Sequence, residues 1–237
     1  MILAAGVGSR LKPWTDSHPK ALAVVNGKSL LQRNVEYLQQ CKIYDVAVNV
    51  HHFASQIINE VDRNNGWGSR ITISDETEEL LETGGGFFKA APLFENSSAI
   101  VLMNADVLTD FHLQSAINYH LDKKPLATLA TTDRQTSRYF LFDEGNNLCG
   151  WKNVTTGEEK PADIQKYNQT TAKAFSGIQI IDPKIFPLIK QRGKFSMVDV
   201  YLDLMNEHTI KSFDHSETRF IDVGKPENIL KAELMFN

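Results

Sequence analysis

Cysteine is scarce: Cys41 and Cys149 are the only two in 237 residues. They form no metal-spaced pair and no disulfide framework, so a reduced, cytoplasmic protein is expected. Neither sign of charge dominates. Lys and Arg number 25 against 29 Asp and Glu, a formal net charge of -4. That balance gives no electrostatic case for nucleic acid or an anionic membrane as the main partner. No apolar run approaches the length of a membrane span. The opening Met1-Ile2-Leu3-Ala4-Ala5 is too short for a signal peptide and has no basic residues ahead of it. Internal repeats and low-complexity tracts are lacking too. What remains is 42% hydrophobic and 23% charged, an ordinary globular composition with enough chain to bury a sizeable core.

The first two-thirds of the chain alternates two patterns. Short β-branched or apolar runs at residues 2–5, 46–50, 71–74, 100–103 and 127–130 have the character of buried parallel strands. Between them lie stretches with helical spacing. The clearest covers 29–40, where Ser29 and Gln32 form a capping box and Leu30, Leu31, Asn34, Val35 and Leu38 share one face. Further helices are predicted at 54–64, 86–93 and 113–122. Strand-helix repetition of this kind predicts an α/β fold: a mostly parallel, mixed sheet sandwiched by helices. After Thr131 the pattern changes. Residues 139–143 and 148–153 flank Glu144-Gly145-Asn146-Asn147 and read as a small antiparallel hairpin. Residues 155–171 are polar and read as a surface loop. Strands at 175–181, 210–213 and 219–223 and helices after Asp182, near 197–206 and from Pro226 complete a single domain over 1–237. The change of pattern after Thr131 divides it into a first half, 1–131, and a second half, 132–237.

The first strand runs into Gly6-Val7-Gly8-Ser9-Arg10. Glycines after a strand let backbone N–H groups approach an anion, and Arg10 adds a forked cation suited to phosphate oxygens. Lys20 follows, its approach stiffened by Pro19. A dinucleotide fingerprint would need a third glycine where Leu11 and Lys12 stand, and a P-loop would need Gly-Lys-Ser/Thr at the end of the glycine loop. Gly27-Lys28-Ser29 has those letters but lacks the upstream glycine, so it reads as a turn and helix cap. Two further acids sit at strand ends, Asp106 after 100–103 and Asp222 in the late Phe220-Ile221-Asp222-Val223-Gly224. Carboxylates there suit Mg²⁺, which keeps waters and binds substrate phosphates. Glu82-Thr83-Gly84-Gly85-Gly86 precedes a predicted helix, where glycines let backbone lie against a ligand and Glu82 can accept hydroxyl donors. His51 and His52 are adjacent and point to opposite faces if extended. Ser176 has no His-Asp partners at recognisable spacing, so a hydrolase triad is unsupported.

The ordered set Leu3-Ala4-Ala5-Gly6-x-Gly8-x-Arg10-Leu11-x-Pro13-x-Thr15, then Pro19-Lys20, resembles the LAAGxGTRLxPLT and PKP signature of the sugar-phosphate nucleotidyltransferase family. Ser9 replaces Thr, Trp14 replaces Leu and Ala21 replaces the second Pro; none removes a phosphate-binding group. The signature starts closer to the N-terminus than in most of the family, so a short first strand is expected. Phe220-x-Asp222-Val223-Gly224-Lys225-Pro226 resembles the family's W-x-D-V-G-T-P. Leu81-Glu82-Thr83-Gly84-Gly85-Gly86, Asn104-Ala105-Asp106-Val107 and Phe175-Ser176-Gly177-Ile178 are similar to the N-acetylmuramate-1-phosphate uridylyltransferase branch of bacterial cell-wall recycling.

The resemblance covers nearly the whole chain and implies a GT-A-type, Rossmann-like fold. It also implies magnesium-dependent transfer of a nucleoside monophosphate from an NTP, UTP favoured, to a sugar-1-phosphate. Leu3, Ala4, Ala5, Gly6, Gly8, Ser9, Arg10 and Asn104 are implied to bind the nucleotide, with Arg10 and Lys20 catalytic. Lys20, Glu82, Thr83, Gly84, Gly85, Ser176 and Gly177 are implied to bind the sugar phosphate. Asp106 and Asp222 are implied to bind the metal. Guanylyl or cytidylyl transfer to mannose, heptose or choline phosphate stays open, as does a non-catalytic sugar-nucleotide sensor. The chain ends soon after its last helix, which fits a monomer or weak dimer.

Overall fold

The computed structural model describes residues 1–160 and 169–236. In chain order its first strands are β1 (Ile2–Leu3), β2 (Val24–Val25), β3 (Lys28–Ser29), β4 (Asp45–Val50), β5 (Arg70–Asp75), β6 (Ile100–Asn104), β7 (Val107–Thr109) and β8 (Ala127–Thr132). Then follow β9 (Arg138–Phe142), β10 (Leu148–Asn153), β11 (Glu158–Lys160), β12 (Thr171–Ile181), β13 (Ile210–Asp214) and β14 (Phe220–Asp222). The helices are α1 (Leu30–Gln40), α2 (Ala54–Arg63), α3 (Glu82–Lys89), α4 (Leu113–Lys123), α5 (Met197–Leu204) and α6 (Pro226–Met235).

The main sheet runs β11-β10-β9-β12-β6-β1-β4-β5, with β8 paired to β12 and β13 to β8. Strands β6, β1, β4 and β5 are mutually parallel; β12 enters antiparallel to β6, and the hairpin extends the sheet beyond it. The chain proceeds from β1 outward to β4 and β5, then returns to the other side of β1 as β6. Such a reversal opens a crevice at the C-terminal strand ends, where ligands of open α/β sheets bind.

Alternation along each strand sends side chains to opposite faces. Leu102 joins Phe87, Leu129, Phe142 and Tyr201 in one core layer. Its neighbour Met103 joins Ile2, Val48, Leu38 and Ile178 in the other. Helix α1 covers the second layer because Leu31, Val35 and Leu38 are fully buried, each contributing about 1.5–3 kcal/mol. Ser29 caps it, its Oγ accepting from Gln32 N–H at 3.1 Å. The capping box is one-sided: the Gln32 amide turns forward to Glu36 at 2.9 Å instead of back to Ser29.

Several sequence expectations shift. Strand β1 stops at Leu3 because Ala4 N–H turns aside to Asn49 Oδ1 at 2.7 Å. The strand expected buried at 71–74 is the sheet edge, and its exposure alternates. The helix expected at 86–93 lies at Glu82–Lys89, so the glycines are inside it. Strand β12 begins at Thr171, four residues early, because it pairs with β9. The expected surface loop contains β11, paired with β10; its residues 161–168 lie outside the described residues. Strands β2, β3 and β7 were not legible in the sequence, whereas β14 falls inside the strand expected at 219–223. Among the described residues no helix is long and apolar enough to cross a membrane.

Candidate active site

Three parallel strand ends meet in register. Leu3 of β1 stands between Asn49 of β4 and Asn104 of β6. Beyond them opens a cleft of about 420 Å³, walled by the loop 4–10, Lys20, Leu80, Glu82 and Asp106. The loop turns at Gly8, whose φ of 66° is left-handed. A Cβ there would stand 2.9 Å from Lys20 Cβ, so only glycine lets the loop lie on Lys20. Thr15 Oγ1 donates to the Gly8 carbonyl at 3.0 Å and fixes the turn.

The acids come from two strands that the fold brings together. Asp106 lies in the turn between β6 and β7, and Asp222 ends β14, which pairs with β7. Val223 N–H donates to the Asp106 carbonyl at 2.8 Å and locks the two segments. The Lys20 ammonium pairs with the Asp106 carboxylate, both side chains largely shielded. Arg10 reaches to 3.8 Å of Asp222. Asp222 Oδ1 is buried with no hydrogen-bond partner among the described residues. Burial first, then the Asp106 charge, push the Asp222 carboxyl above its usual range; Lys20, Arg10 and Arg134 pull it back.

An orphaned carboxylate oxygen beside a second carboxylate is chemistry that fits a hard divalent cation. No group of three or more His, Cys, Asp or Glu poised for a metal occurs among the described residues. Two protein ligands, with the remaining positions left to water and phosphate, is the magnesium mode rather than the zinc or calcium mode.

A family model described as "Nucleotidyl transferase" matches residues 1–236. The chain belongs to the sugar-1-phosphate nucleotidyltransferase family. It is 27% identical over 237 residues to the N-acetylmuramate alpha-1-phosphate uridylyltransferase of Neisseria meningitidis, covering 99% of this chain and 96% of that protein. It is 26% identical over 238 residues to the mannose-1-phosphate guanyltransferase of Yarrowia lipolytica, where it covers 100% of this chain but spans only 63% of that protein's length. Among solved structures, that of HddC from Yersinia pseudotuberculosis complexed with GMP-PN superposes with a TM-score of 0.78 at 26% identity, covering 100% of this chain and 98% of that one.

Not every site residue expected of this nucleotidyltransferase lines the cleft. Leu3, Ala4, Ala5, Gly6, Gly8, Ser9, Arg10, Lys20, Glu82, Thr83, Asn104 and Asp106 do. Gly84 and Gly85 face away. Their N–H groups donate to the Phe195 carbonyl at 2.9 and 3.2 Å. A Cβ on Gly84 would enter the Phe195 ring, and one on Gly85 the Gly193 carbonyl oxygen. These glycines let α3 press against residues 193–197 rather than against a ligand. Thr83 Oγ1 serves the same seam, accepting from Met197 N–H at 3.0 Å. Glu82 stays at the cleft with Lys194 at 3.6 Å.

Ser176 is 1% exposed, and its Oγ donates to the Ala130 carbonyl at 2.8 Å. The sequence shows no histidine partner for it; the fold supplies one, with His215 Nε2 at 2.9 Å. The far nitrogen of His215 faces Thr218 rather than a carboxylate, so the pair is a buried strut. Gly177 instead makes room for Asn104, whose side-chain amide would be 2.8 Å from a Cβ there.

Burial lowers the His215 pKa to about 4. Below the unfolded value near 6.5 the unfolded chain binds the proton and the fold does not, so stability falls as pH drops from about 6.5 to about 4. Denaturant titrations at pH 7 and pH 4.5 should show His215→Gln losing less stability than wild type, by about 2–3 kcal/mol. Equal losses would contradict the buried neutral imidazole.

Sequence reasoning missed the residues that hold the strand ends. Asn49 accepts from Ala4 N–H and donates to Glu76 Oε1 at 2.7 Å. Glu76, 1% exposed, also accepts from Leu81 N–H at 3.2 Å, tying the loop before α3 to the sheet. Asn34 donates to the Ala105 carbonyl at 2.7 Å, beside Asp106. The signals existed. Asn49 is the penultimate residue of a parallel strand, as Asp106 lies just beyond one, and Asn34 interrupts an otherwise apolar helix face. A buried polar residue on such a face needs a partner.

Proposed function

We propose that this protein transfers a nucleoside monophosphate from an NTP to a sugar-1-phosphate, releasing pyrophosphate, with the nucleotide on residues 1–131 and the sugar largely on residues 132–237. The observation that carries the reading is that Arg10, Lys20 and Asp106 line one cleft, with Asp222 3.8 Å from Arg10. A phosphate oxygen of the acceptor attacks the α-phosphorus; that P–O bond forms as the bond to the pyrophosphate oxygen breaks. The attacking oxygen is already anionic, so the chain needs no general base. Its task is positioning and charge neutralisation. The loop backbone and Arg10 hold the NTP phosphates, and Lys20 holds the oxygens around the α-phosphorus. Asp106 and Asp222 would hold a magnesium ion, which when bound supplies neutralising charge to the phosphates.

The favoured pair is UTP with N-acetylmuramate-1-phosphate. What supports it is the Leu81-Glu82-Thr83-Gly84-Gly85-Gly86 segment, whose Glu82 and Thr83 line the cleft, and a match spanning nearly all of the Neisseria uridylyltransferase. The GMP-PN complex of HddC favours guanylyl transfer as the second reading. A non-catalytic sensor would tolerate loss of a carboxylate or of Lys20, and this chain keeps them all. The test is pyrophosphate release with Mg²⁺, each of four NTPs and a panel of sugar-1-phosphates. Release confined to UTP with N-acetylmuramate-1-phosphate is expected. Release with GTP and another acceptor would replace the substrate pair, and no release from folded protein with any pair would overturn the reaction.

A further inference from the structure

Arg134 follows β8 and takes no part in the signature motifs. Its guanidinium donates to the Phe175 carbonyl at 2.9 Å and lies over the Phe220 ring, 5.2 Å from the centroid. Phe220 and Asp222 alternate with the buried Ile221 along β14, so both project from the same face of the strand. A cation over Phe220 therefore stands one side-chain step from Asp222, about 7 Å along the strand. The electrostatics agree. Burial pulls the Arg134 pKa down, and the Asp222 charge pushes it back up. Yet Arg134 makes no salt bridge among the described residues; one carbonyl and one ring hold it.

A guanidinium has five donors in a fixed fork, and here one backbone oxygen engages only part of it. The ring and the carbonyl fix its plane, and no carboxylate among the described residues claims the rest. Its position is on the β12 side of the metal carboxylates. Arg10 and Lys20 reach the same carboxylates from the glycine-loop side. Anions entering between Asp106 and Asp222 would thus meet cations from both sides.

Resting on the transfer reaction proposed above, we propose that Arg134 binds an anionic oxygen group of the acceptor sugar and positions it opposite the Arg10–Lys20 side. The group is the 1-phosphate or a carboxylate elsewhere on the sugar; both offer the paired oxygens that a guanidinium fork takes.

The test compares wild type, Arg134→Ala and Arg134→Lys in steady state with the fastest NTP and acceptor pair. The Ala variant should raise the acceptor KM about 10- to 100-fold, the loss of one charged hydrogen-bonding partner, and leave the NTP KM within about twofold. The Lys variant should recover part of the loss, since it keeps charge but not the fork. Acceptors with and without a carboxylate separate the two sources: an equal loss on both assigns the phosphate, a loss confined to the carboxylated sugar assigns the carboxylate. An unchanged acceptor KM, or an NTP KM that rises equally, would overturn the proposal. Should wild type turn over no pair, the transfer reading fails separately. The proposal then stands or falls on thermal shift with glucose-1-phosphate. Stabilisation of wild type that is lost in Arg134→Ala supports it, and no stabilisation of wild type overturns it.

Discussion

Asp106→Ala should abolish pyrophosphate release even at saturating Mg²⁺, lowering kcat about a thousandfold or more. The expectation rests on how few groups the site has. Asp106 just precedes β7 and Asp222 ends its partner β14, and a buried oxygen of Asp222 has no partner among the described residues. With Asp106 gone, a cation keeps one protein ligand, and Lys20 loses the carboxylate that orients it. The fold should persist, because Asp106 ties the strands through its backbone carbonyl, which alanine keeps. A melting temperature within a few degrees of wild type, measured beside the activity, makes that distinction. Full activity in the variant would mean that the metal, if used, is held elsewhere.

Lys20→Ala is the second large effect, a fall in kcat of about a hundredfold to ten-thousandfold with the fold intact. Lys20 has two roles. It pairs with Asp106, and through its charge it helps keep Asp222 ionised against burial and against Asp106. Removing it leaves two carboxylates in one cleft with one fewer cation. The Asp222 carboxyl, already raised, must rise further, so residual activity should fade at higher pH than in wild type as the solution is acidified. The pH profile therefore separates an electrostatic role from a merely structural one. An unshifted acid limb in a slow variant would confine Lys20 to contact with substrate.

Much of the fold could be read from the sequence because the strands around the cleft are continuous β-branched runs, buried on both faces. Strands β4, β6 and β8 fall within two residues of expectation at either end. The errors have physical causes. Glu82-Thr83-Gly84-Gly85-Gly86 reads as a loop because glycine opposes helix, yet the segment 193–197 and Glu76 press so closely that only glycine fits, and packing overrides propensity. Two-residue strands such as β2 and β3 carry no period to detect. Among residues lining the cleft, those of local motifs were legible, namely the loop 3–10, Lys20 and Asp106, as was Asp222 beside Arg10. Residues that act through tertiary contact were not. Ser176 looks like a pocket residue beside Gly177, but the irregular register of β12 against β8 turns its hydroxyl to Ala130 and His215. Asn49 with Glu76, and Asn34 separately, make buried hydrogen bonds behind the strand ends whose partners lie 27 to 71 residues away.

The central claim is that the cleft transfers the α-phosphorus of an NTP. The most direct measurement is label transfer: the protein, Mg²⁺ and sugar-1-phosphate with UTP labelled either at the α- or the γ-phosphorus. The account predicts that α-label appears in a sugar nucleotide and γ-label in pyrophosphate. Appearance of γ-label on the sugar, or as free orthophosphate with no labelled sugar nucleotide, would mean phosphoryl transfer or hydrolysis and would contradict it.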